Sequence, residues 1–253
     1  MVRMNLLISD LDGTLLGDDR SLEQFAVWYA NARQHYRLVY SSGRFVESVL
    51  NSIASTMLPT PDAIIGGVGT QIYDVAQARH FPMWSPMIDE WNPHIVQSVG
   101  ERFDELRIQP AKFNSHHKIS FYGADLDESF LKHLEERMGS AGQCVSMVYS
   151  SQRDLDVLPI ESNKGSAALF LAQHWKIRPD RTLVAGDSGN DADMFRVGFR
   201  GIVVGNAAQE LKALASPTNY VAENRFAAGV LEGILHWQDD RDNIRRKRSE
   251  TSN

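Results

Sequence analysis

The stretch from residue 6 to residue 14 constrains the fold of this chain most strongly. Residues 6–8 are an apolar run, which is typical of a buried strand in a parallel sheet with both faces covered. The run leads into Asp10-Leu11-Asp12-Gly13-Thr14. Acidic groups at the carboxyl end of a central strand lie at the crevice where open α/β sheets bind ligands. One aspartate can act there as a nucleophile while its neighbour carries a proton; taken alone, the stretch is equally compatible with an Asp-Gly turn without function.

Strands and helices alternate after this stretch. Ser21 to Gln24 fits a capping box, with Ser21 as the N-cap of a helix that ends near Gln34. The hydrophobic pattern predicts a strand at 36–40, a helix through 45–53 and a strand at 63–65, followed by the glycine-rich segment 66–70. Strands and helices at such short spacing predict right-handed βαβ units and a parallel sheet.

The pattern changes near Phe81 and predicts a small inserted domain. A helix capped by Asn92, with Pro93 at its first position, begins this part. It is followed by a predicted strand at 118–122, a helix at 128–138 and strands at 144–149 and 155–158. This order of helices and antiparallel strands indicates an α+β cap at 81–160, inserted into a core formed by 1–80 and 161–253.

The core pattern resumes at Asn163. A helix to Trp175 precedes a strand at 182–185, which ends in Gly186-Asp187-Ser188-Gly189-Asn190-Asp191. A strand at 201–204, a helix around Leu211 and a last helix at 227–237 complete the prediction. The expected class is α/β: a Rossmann-like core, with a parallel sheet between helices, plus the α+β cap.

Composition excludes several classes of protein. The formal net charge of −6 over 253 residues argues against nucleic-acid binding, which needs a basic face. Cys144 is the only cysteine, so no internal disulfide forms, and its apolar run 144–148 predicts a packed side chain. Neither a secretory signal nor a membrane-spanning run is present, and we expect a cytoplasmic protein without a membrane partner. The basic cluster 245–248 predicts a disordered tail.

Four motifs, in this order along the chain, resemble those of the haloacid dehalogenase phosphatase superfamily. They are Asp10-x-Asp12-Gly-Thr14, Ser42 after a strand, Lys164, and Gly186-Asp187-x-x-x-Asp191. The segments 64–70, 117–120, 154–159 and 162–165 are similar to the sucrose-phosphate phosphatase branch. The segments 148–151 and 201–206 are similar to its close relative, mannosylfructose-phosphate phosphatase. The resemblance extends to about Trp237 and implies a cap of the C2B type.

The resemblance implies a catalytic role for four residues. Asp10 would attack phosphorus and form an aspartyl-phosphate, as a carboxylate nucleophile can. Asp12 would protonate the departing sugar oxygen and then deprotonate the hydrolytic water. Ser42 would donate a hydrogen bond to a phosphoryl oxygen, and Lys164 would offset negative charge. An acid at position 12 favours a phosphatase, because related transporters have threonine there.

Mg²⁺ is the metal that the resemblance implies. This hard cation prefers oxygen ligands, of which the protein supplies few. The carboxylates of Asp10 and Asp187 and the main-chain carbonyl of Asp12 are the expected ligands, with Asp191 orienting them. An alternative interpretation makes residues 186–191 an Asx-rich turn with Asp191 as a helix N-cap. Zinc is not expected, because His116-His117 has no further partners at ligand spacing.

Candidate substrate contacts lie in the core loops and in the cap. The residues are Gly43, Arg44, Gly69, Thr70, Gln71, Lys118, Ser120 and Asn190. Arg44 is expected either to pair with phosphate or sugar or to form a structural ion pair. Tyr73, Trp84 and Trp91 lie near the predicted cap entrance, although packing is the better interpretation of such aromatic residues.

The resulting hypothesis is a Mg²⁺-dependent phosphatase for a disaccharide monophosphate, either sucrose 6-phosphate or mannosylfructose 6-phosphate. The alternatives are a sugar phosphomutase of the phosphomannomutase kind, a broad-specificity sugar-phosphate phosphatase and a noncatalytic sugar-phosphate-binding module. The expected partner is a small sugar phosphate. The sequence is compatible with association with a sugar-phosphate synthase, and a monomer is favoured.

Overall fold

Strands and helices alternate along most of the chain in the computed structural model, which describes residues 4–84 and 91–250. The strands are β1 (Asn5–Ser9), β2 (Tyr36–Ser41), β3 (Ala63–Gly66), β4 (Gln71–Asp74), β5 (Arg79–His80), β6 (Arg107–Ile108), β7 (Ile119–Tyr122), β8 (Val145–Ser150), β9 (Asp154–Pro159), β10 (Thr182–Gly186), β11 (Arg200–Val203) and β12 (Asn219–Val221). The helices are α1 (Asp19–Ala32), α2 (Val46–Ser55), α3 (Pro93–Gly100), α4 (Glu128–Ser140), α5 (Lys164–His174), α6 (Ala192–Arg196), α7 (Gln209–Lys212) and α8 (Phe226–Glu250).

The larger sheet has eight strands in the order β12-β11-β10-β1-β2-β3-β4-β5. The six strands from β12 to β3 are parallel, and β4 and β5 add an antiparallel hairpin at one edge. Leu6, Leu7 and Ile8 of β1 are fully buried, as a central strand covered on both faces requires. Helix α1 packs against α8, and α5 packs against α6. The predicted α/β class, with a parallel sheet flanked by helices, is confirmed.

The smaller sheet has four antiparallel strands in the order β6-β7-β9-β8. Ile119 and Phe121 of β7 and Val157 of β9 pack in one hydrophobic cluster with residues of α3 and α4. Because side chains alternate along a strand, Ser120 and Asp156 face the side away from those helices. The division of the chain at 81 and 160 stays a prediction, and residues 85–90 of the predicted cap lie outside the described residues.

Three contacts join the smaller sheet to loops of the larger one. Val68, which follows β3, forms a small buried cluster with Val148 and Leu158 of the smaller sheet. The carbonyl oxygen of Tyr149 lies 3.2 Å from the position that a Cβ would occupy on Gly189, in the loop after β10. The ammonium of Lys118 lies 5.6 Å from the ring of Phe45, which follows β2. The smaller sheet is therefore placed over the carboxyl ends of the parallel strands.

Helix α1 begins three residues earlier than the capping box predicts. Its N-cap is Asp18, whose Oδ2 accepts a hydrogen bond from the backbone N–H of Ser21 at 2.8 Å. Ser21 lies in the first turn and donates its hydroxyl to the carbonyl of Asp18 at 3.1 Å. The prediction of Ser21 as the N-cap was wrong, because an aspartate at position 18 offers the same acceptor one turn earlier.

Two further expectations also require correction. Cys144 is exposed rather than packed; the next residue, Val145, points into the hydrophobic cluster, and alternation turns its neighbour outward. Helix α8 continues to Glu250, so the basic cluster 245–248 is helical instead of a disordered tail. Within residues 4–84 and 91–250, no helix combines the length and apolar character needed to cross a membrane.

Candidate active site

A buried lysine joins three segments at the carboxyl ends of the strands. Lys164 is the first residue of α5 and is fully buried. Its Nζ donates to Oδ1 of Asp10 at 2.7 Å, of Asn190 at 2.9 Å and of Asp191 at 2.6 Å. Helix α5 begins here because Asn163 is its N-cap in a reciprocal capping box. All three donors of the ammonium are thus used, and the charge is fixed beside Asp10, directly after β1.

Burial and repulsion between carboxylates dominate the electrostatics of this group. Burial, then the Asp191 and Asp187 charges, hold the pKa of Asp10 well above its usual range despite Lys164. Burial and Asp191 likewise raise the pKa of Asp187 to about 6. Burial alone would lower the pKa of Lys164, but the neighbouring Asp10 and Asp191 raise it. One ammonium among three carboxylates leaves an excess of negative charge.

The carboxylates of Asp10, Asp187 and Asp191 have oxygens that all lie within 4.8 Å of one another. Oδ1 of Asp187 accepts a hydrogen bond from the hydroxyl of Thr14 at 3.1 Å. Gly13, with φ +86°, permits this arrangement, because a Cβ at that position would collide with the Asp187 carboxylate. Clustered hard oxygen donors with excess negative charge fit a divalent cation such as Mg²⁺.

Asp191 holds the loop after β10 by both of its carboxylate oxygens. Oδ1 accepts from Lys164, and Oδ2 accepts from the backbone N–H groups of Asp187 at 3.0 Å and Ser188 at 3.2 Å. Its side chain makes no capping hydrogen bond to α6. Asp191 thus occupies the N-cap position of α6, as the alternative interpretation expects, but its carboxylate binds Lys164 and the loop after β10 instead of capping the helix. With both oxygens engaged, this carboxylate is placed to orient Asp187 and Lys164.

The loop after β2 brings Ser42 and Gly43 to the same crevice. Ser42 is fully buried, and its Oγ accepts the backbone N–H of Arg44 at 3.1 Å. Its hydroxyl hydrogen has no acceptor within the described part of the chain and stays available to a ligand. A Cβ on Gly43 would lie 3.7 Å from Nδ2 of Asn190, so these two residues face each other. The loop after β2 thus lies beside Asn190, which shares the ammonium of Lys164 with Asp10.

Arg44 forms an ion pair with the second aspartate of the first motif. Its Nε lies 2.9 Å from Oδ2 of Asp12, whose side chain is 60% exposed. Its Nη1 donates to Oγ of Ser52 in α2 at 2.9 Å. Of the two expectations for Arg44, the structure thus contains an ion pair, and its partner is the candidate proton donor. The motif spacing alone did not reveal this pairing, because the two residues follow different strands.

The smaller sheet places a polar group opposite these loops. Nζ of Lys118 lies 2.7 Å from Oδ1 of Asp156 and 3.0 Å from Oγ of Ser120. The hydroxyl of Ser120 also donates to Asp156 Oδ1, at 2.5 Å. Asp156 was missed in the sequence, although its signal was present: polar and apolar residues alternate through 154–157 and turn both acidic side chains to one face.

The three consecutive candidates after β3 are engaged in packing. A Cβ on Gly69 would collide with the backbone of Asn163, so this glycine allows the loop to approach the start of α5. The hydroxyl of Thr70 donates to the carbonyl of Gly67 at 2.9 Å. Oε1 of Gln71 accepts the backbone N–H of Val46, the first residue of α2, at 3.1 Å. Each of them shapes the loops around the site.

The three aromatic residues near the cap entrance are partly buried and pack in the hydrophobic clusters. Tyr73 and Trp84 belong to the cluster of the larger sheet, and Trp91 belongs to that of the smaller one. The indole N–H of Trp84 donates to the carbonyl of Gly69 at 3.0 Å. These contacts agree with packing, the interpretation preferred for all three.

Comparison with known proteins matches residues 3–238 to the family described as sucrose-6F-phosphate phosphohydrolase. Mannosylfructose-phosphate phosphatase from Agrobacterium fabrum is 34% identical, over 94% of this chain and 98% of that protein. Sucrose-phosphatase 1 from Nicotiana tabacum is also 34% identical, over 92% of this chain and 59% of that protein. The chain thus spans about three fifths of the plant enzyme's length.

A solved structure agrees with the sequence comparison. The sucrose-phosphatase from Synechocystis, determined with sucrose and phosphate, superposes with a TM-score of 0.87 at 33% identity. The match covers 93% of this chain and 98% of that one. Fold and site together define a haloacid dehalogenase-type sugar-phosphate phosphatase. Within that class, the chain belongs to the sucrose-6F-phosphate phosphohydrolase family.

Proposed function

We propose that this protein is a Mg²⁺-dependent phosphatase that hydrolyses a disaccharide monophosphate through an aspartyl-phosphate on Asp10. The observation that carries the proposal is the fixed pair of Asp10 and Lys164, 2.7 Å apart and buried at the end of β1. A lysine held this close to a carboxylate reduces the repulsion that an incoming phosphate dianion meets. The candidate proton donor, Asp12, is two residues away and largely exposed.

The reaction proceeds in two balanced steps. In the first, the Asp10 carboxylate attacks phosphorus, the bond from phosphorus to the sugar oxygen breaks, and that oxygen takes a proton from Asp12. In the second, Asp12 takes a proton from water, whose oxygen attacks phosphorus and releases inorganic phosphate from Asp10. Ser42 donates its free hydroxyl hydrogen to a phosphoryl oxygen.

A bound Mg²⁺, held by Asp10 and Asp187 and by the main-chain carbonyl of Asp12, would supply charge neutralisation at the phosphoryl group. Asp191 orients Asp187 through the backbone N–H of that residue. Burial and then the repulsion among the three carboxylates raise the pKa of Asp10 and Asp187. The excess of negative charge in this group supports a cation at this position.

The smaller sheet favours a sugar leaving group. Lys118, Ser120 and Asp156 form a compact polar group on the sheet face opposite α3 and α4. Such a group offers both donors and acceptors to sugar hydroxyls. Sucrose 6-phosphate and mannosylfructose 6-phosphate are the substrates that we propose, since a relative named mannosylfructose-phosphate phosphatase and one named sucrose-phosphatase are each 34% identical to this chain.

Phosphate release in the presence of Mg²⁺ tests the proposal. The substrates are sucrose 6-phosphate, mannosylfructose 6-phosphate, simple hexose phosphates and p-nitrophenyl phosphate. We expect kcat/KM for one disaccharide phosphate to exceed that for hexose phosphates by about 100-fold or more, which is worth about 2.7 kcal/mol. Equal values across the panel would indicate a broad-specificity phosphatase, and isomerised sugar phosphate without free phosphate would indicate a mutase.

Substitution of the nucleophile separates catalysis from folding. We expect Asp10→Asn to abolish turnover and the hydroxylamine-sensitive phosphoenzyme while leaving the far-UV circular dichroism unchanged. Asp104→Asn, at an exposed aspartate, is the matched control and should retain full activity. Full activity of Asp10→Asn would overturn the assignment of the nucleophile.

A further inference from the structure

Arg44 is anchored at both its backbone and its side chain. Its N–H donates to Oγ of Ser42 at 3.1 Å, and its carbonyl accepts from Gly67 at 2.9 Å. Its guanidinium donates through Nη1 to Oγ of Ser52 at 2.9 Å and places Nε 2.9 Å from Oδ2 of Asp12. The side chain therefore extends from the phosphate-binding loop to Asp12 in one defined conformation.

Asp12 depends on this contact for its orientation. Its side chain is 60% exposed, and within the described part of the chain its carboxylate has no hydrogen bond and no other ion pair. An exposed aspartate without a partner samples several rotamers. General acid catalysis requires the proton to be within hydrogen-bond reach of the leaving oxygen. Among the described residues, Arg44 is the one partner that can restrict this carboxylate.

Stability does not explain the pairing. Ion pairs with an exposed partner contribute little to folding, because water screens them and ordering a long side chain costs entropy. Nη2 of Arg44 is buried without a hydrogen-bond acceptor in the described part of the chain, and the buried Nε has only its ion-pair contact with Asp12, an arrangement that itself opposes folding. Unfavourable local arrangements of this kind are concentrated at functional sites.

We infer that Arg44 is a positioning residue, which holds the carboxyl group of Asp12 in the orientation required for proton transfer to the leaving oxygen. This inference rests on the proposed phosphatase function and adds a specific role to it. The competing role is direct binding of phosphate or sugar by Arg44. The two roles differ in what they require of the substrate: positioning of a general acid affects only leaving groups that need a proton, whereas binding affects every substrate.

Leaving groups of different basicity distinguish these roles. Sugar alkoxides and phenolate need a proton to depart, because they are basic; the conjugate acid of phenolate has a pKa of about 10, as in tyrosine. The less basic p-nitrophenolate departs without a proton. The readout is kcat/KM, because this constant depends on the steps up to leaving-group departure and does not depend on the later hydrolysis of the phosphoenzyme. We expect Arg44→Gln to lower kcat/KM for phenyl phosphate and for the sugar phosphate at least about 10-fold more than for p-nitrophenyl phosphate, since general acids contribute about 10²- to 10⁴-fold.

A double-mutant cycle with Asp12→Asn supplies the second readout. Asp12→Asn removes the proton that Arg44 positions, so adding Arg44→Gln to it should lower kcat/KM for phenyl phosphate by less than about 2-fold. Arg44→Lys keeps the charge but not the planar fork, and should recover part of the selective loss. Ser52→Ala removes only the Nη1 anchor and should give a smaller loss with the same leaving-group selectivity.

Equal losses for all three substrates, or a full Arg44→Gln effect in the Asp12→Asn background, would overturn the positioning role and assign Arg44 to substrate binding. Both results leave the phosphatase itself intact. Absence of phosphate release by the unmodified protein from every substrate would instead refute the proposed function. Unchanged melting temperatures of the Arg44 variants verify that the comparison concerns folded protein.

Discussion

Lys164 shows at the residue scale how one buried charge can serve both catalysis and folding. Its ammonium has no solvent contact, and its three hydrogen-bond partners come from the loops after β1 and β10. Buried charges are tolerated only when they are paired and fully hydrogen-bonded. Removal of this one side chain therefore leaves two buried carboxylates without compensation.

We expect Lys164→Met to lower kcat by at least about 10²-fold, the loss typical of a removed charge-stabilising donor. The same change should lower the free energy of unfolding by about 3–5 kcal/mol, because it breaks a buried ion pair on one side only. Urea denaturation measures the stability, with Lys132→Met at an exposed position of α4 as the control. A stability loss equal to that of the control would show that Asp10 and Asp191 do not depend on this ammonium.

The raised pKa of Asp187, about 6, gives a pH dependence of metal binding. The pKa of Asp187 is higher in the folded protein than in the unfolded chain, so proton binding to this carboxyl stabilises the fold. This contribution to the free energy of unfolding is complete below about pH 4. That contribution is lost as the pH rises through about 6. A cation that binds the ionised group reverses the loss, while protons compete with it at low pH.

Added Mg²⁺ should accordingly raise the melting temperature more at pH 7.5 than at pH 5.0. Scanning fluorimetry across a MgCl₂ titration measures this difference, and Asp187→Asn should reduce it. The same rise at both pH values would exclude titration of Asp187 from cation binding.

Contacts between distant residues could be predicted from the sequence only where the residues belong to a motif whose position in the fold is known. Asp10, Lys164 and Asp187 stand at the ends of elements that hydrophobic periodicity identifies, and parallel strands bring such ends to one edge. The pairing of Arg44 with Asp12 was not predictable, because it depends on the rotamer of a long side chain that crosses between two loops.

At the scale of elements, the central strands and most helices were predictable and the edges were not. β1, β2, β3 and β10 have continuous apolar runs, since both of their faces are covered. The hairpin of β4 and β5 was missed: β5 has only two residues, both exposed, and so carries no apolar signal. The start of α1 was misplaced because Asp18 and Ser21 are both good N-cap residues, and only the backbone shows which of them is used.

At the scale of the whole molecule, the smaller sheet contacts the core loops at Val68, a residue with a strained backbone. Val68 has φ 58°, a left-handed conformation that is rare for a β-branched side chain. It is fully buried against Val148 and Leu158 of the smaller sheet. Strain of this kind persists only where surrounding contacts compensate for it, so the small cluster links the loop conformation to the position of the smaller sheet.

We expect Val148→Asp to lower kcat/KM for the sugar phosphate by about 10-fold or more, because a carboxylate cannot be buried against Val68 and Leu158 without a partner. The activity toward p-nitrophenyl phosphate should fall less, since that substrate offers no sugar to the smaller sheet. Steady-state kinetics measures both, with Lys132→Asp on the helical side as the control. Equal losses for the two substrates would indicate that the cluster stabilises the fold and does not contribute to substrate selection.

The hydrogen bond between Lys164 and Asp10 joins residues 154 positions apart. At a synthesis rate of about 5–20 residues per second, the nucleophile leaves the ribosome roughly 8 to 30 s before the lysine that neutralises it. During that interval β1 has no β10 beside it, and its apolar face and its aspartates are exposed together. The nascent chain therefore has neither the lysine that pairs with Asp10 nor the neighbouring strand β10 until residues 164 and 182–186 have been made. Chaperone binding in that period would protect the same strand on which the active site is later built.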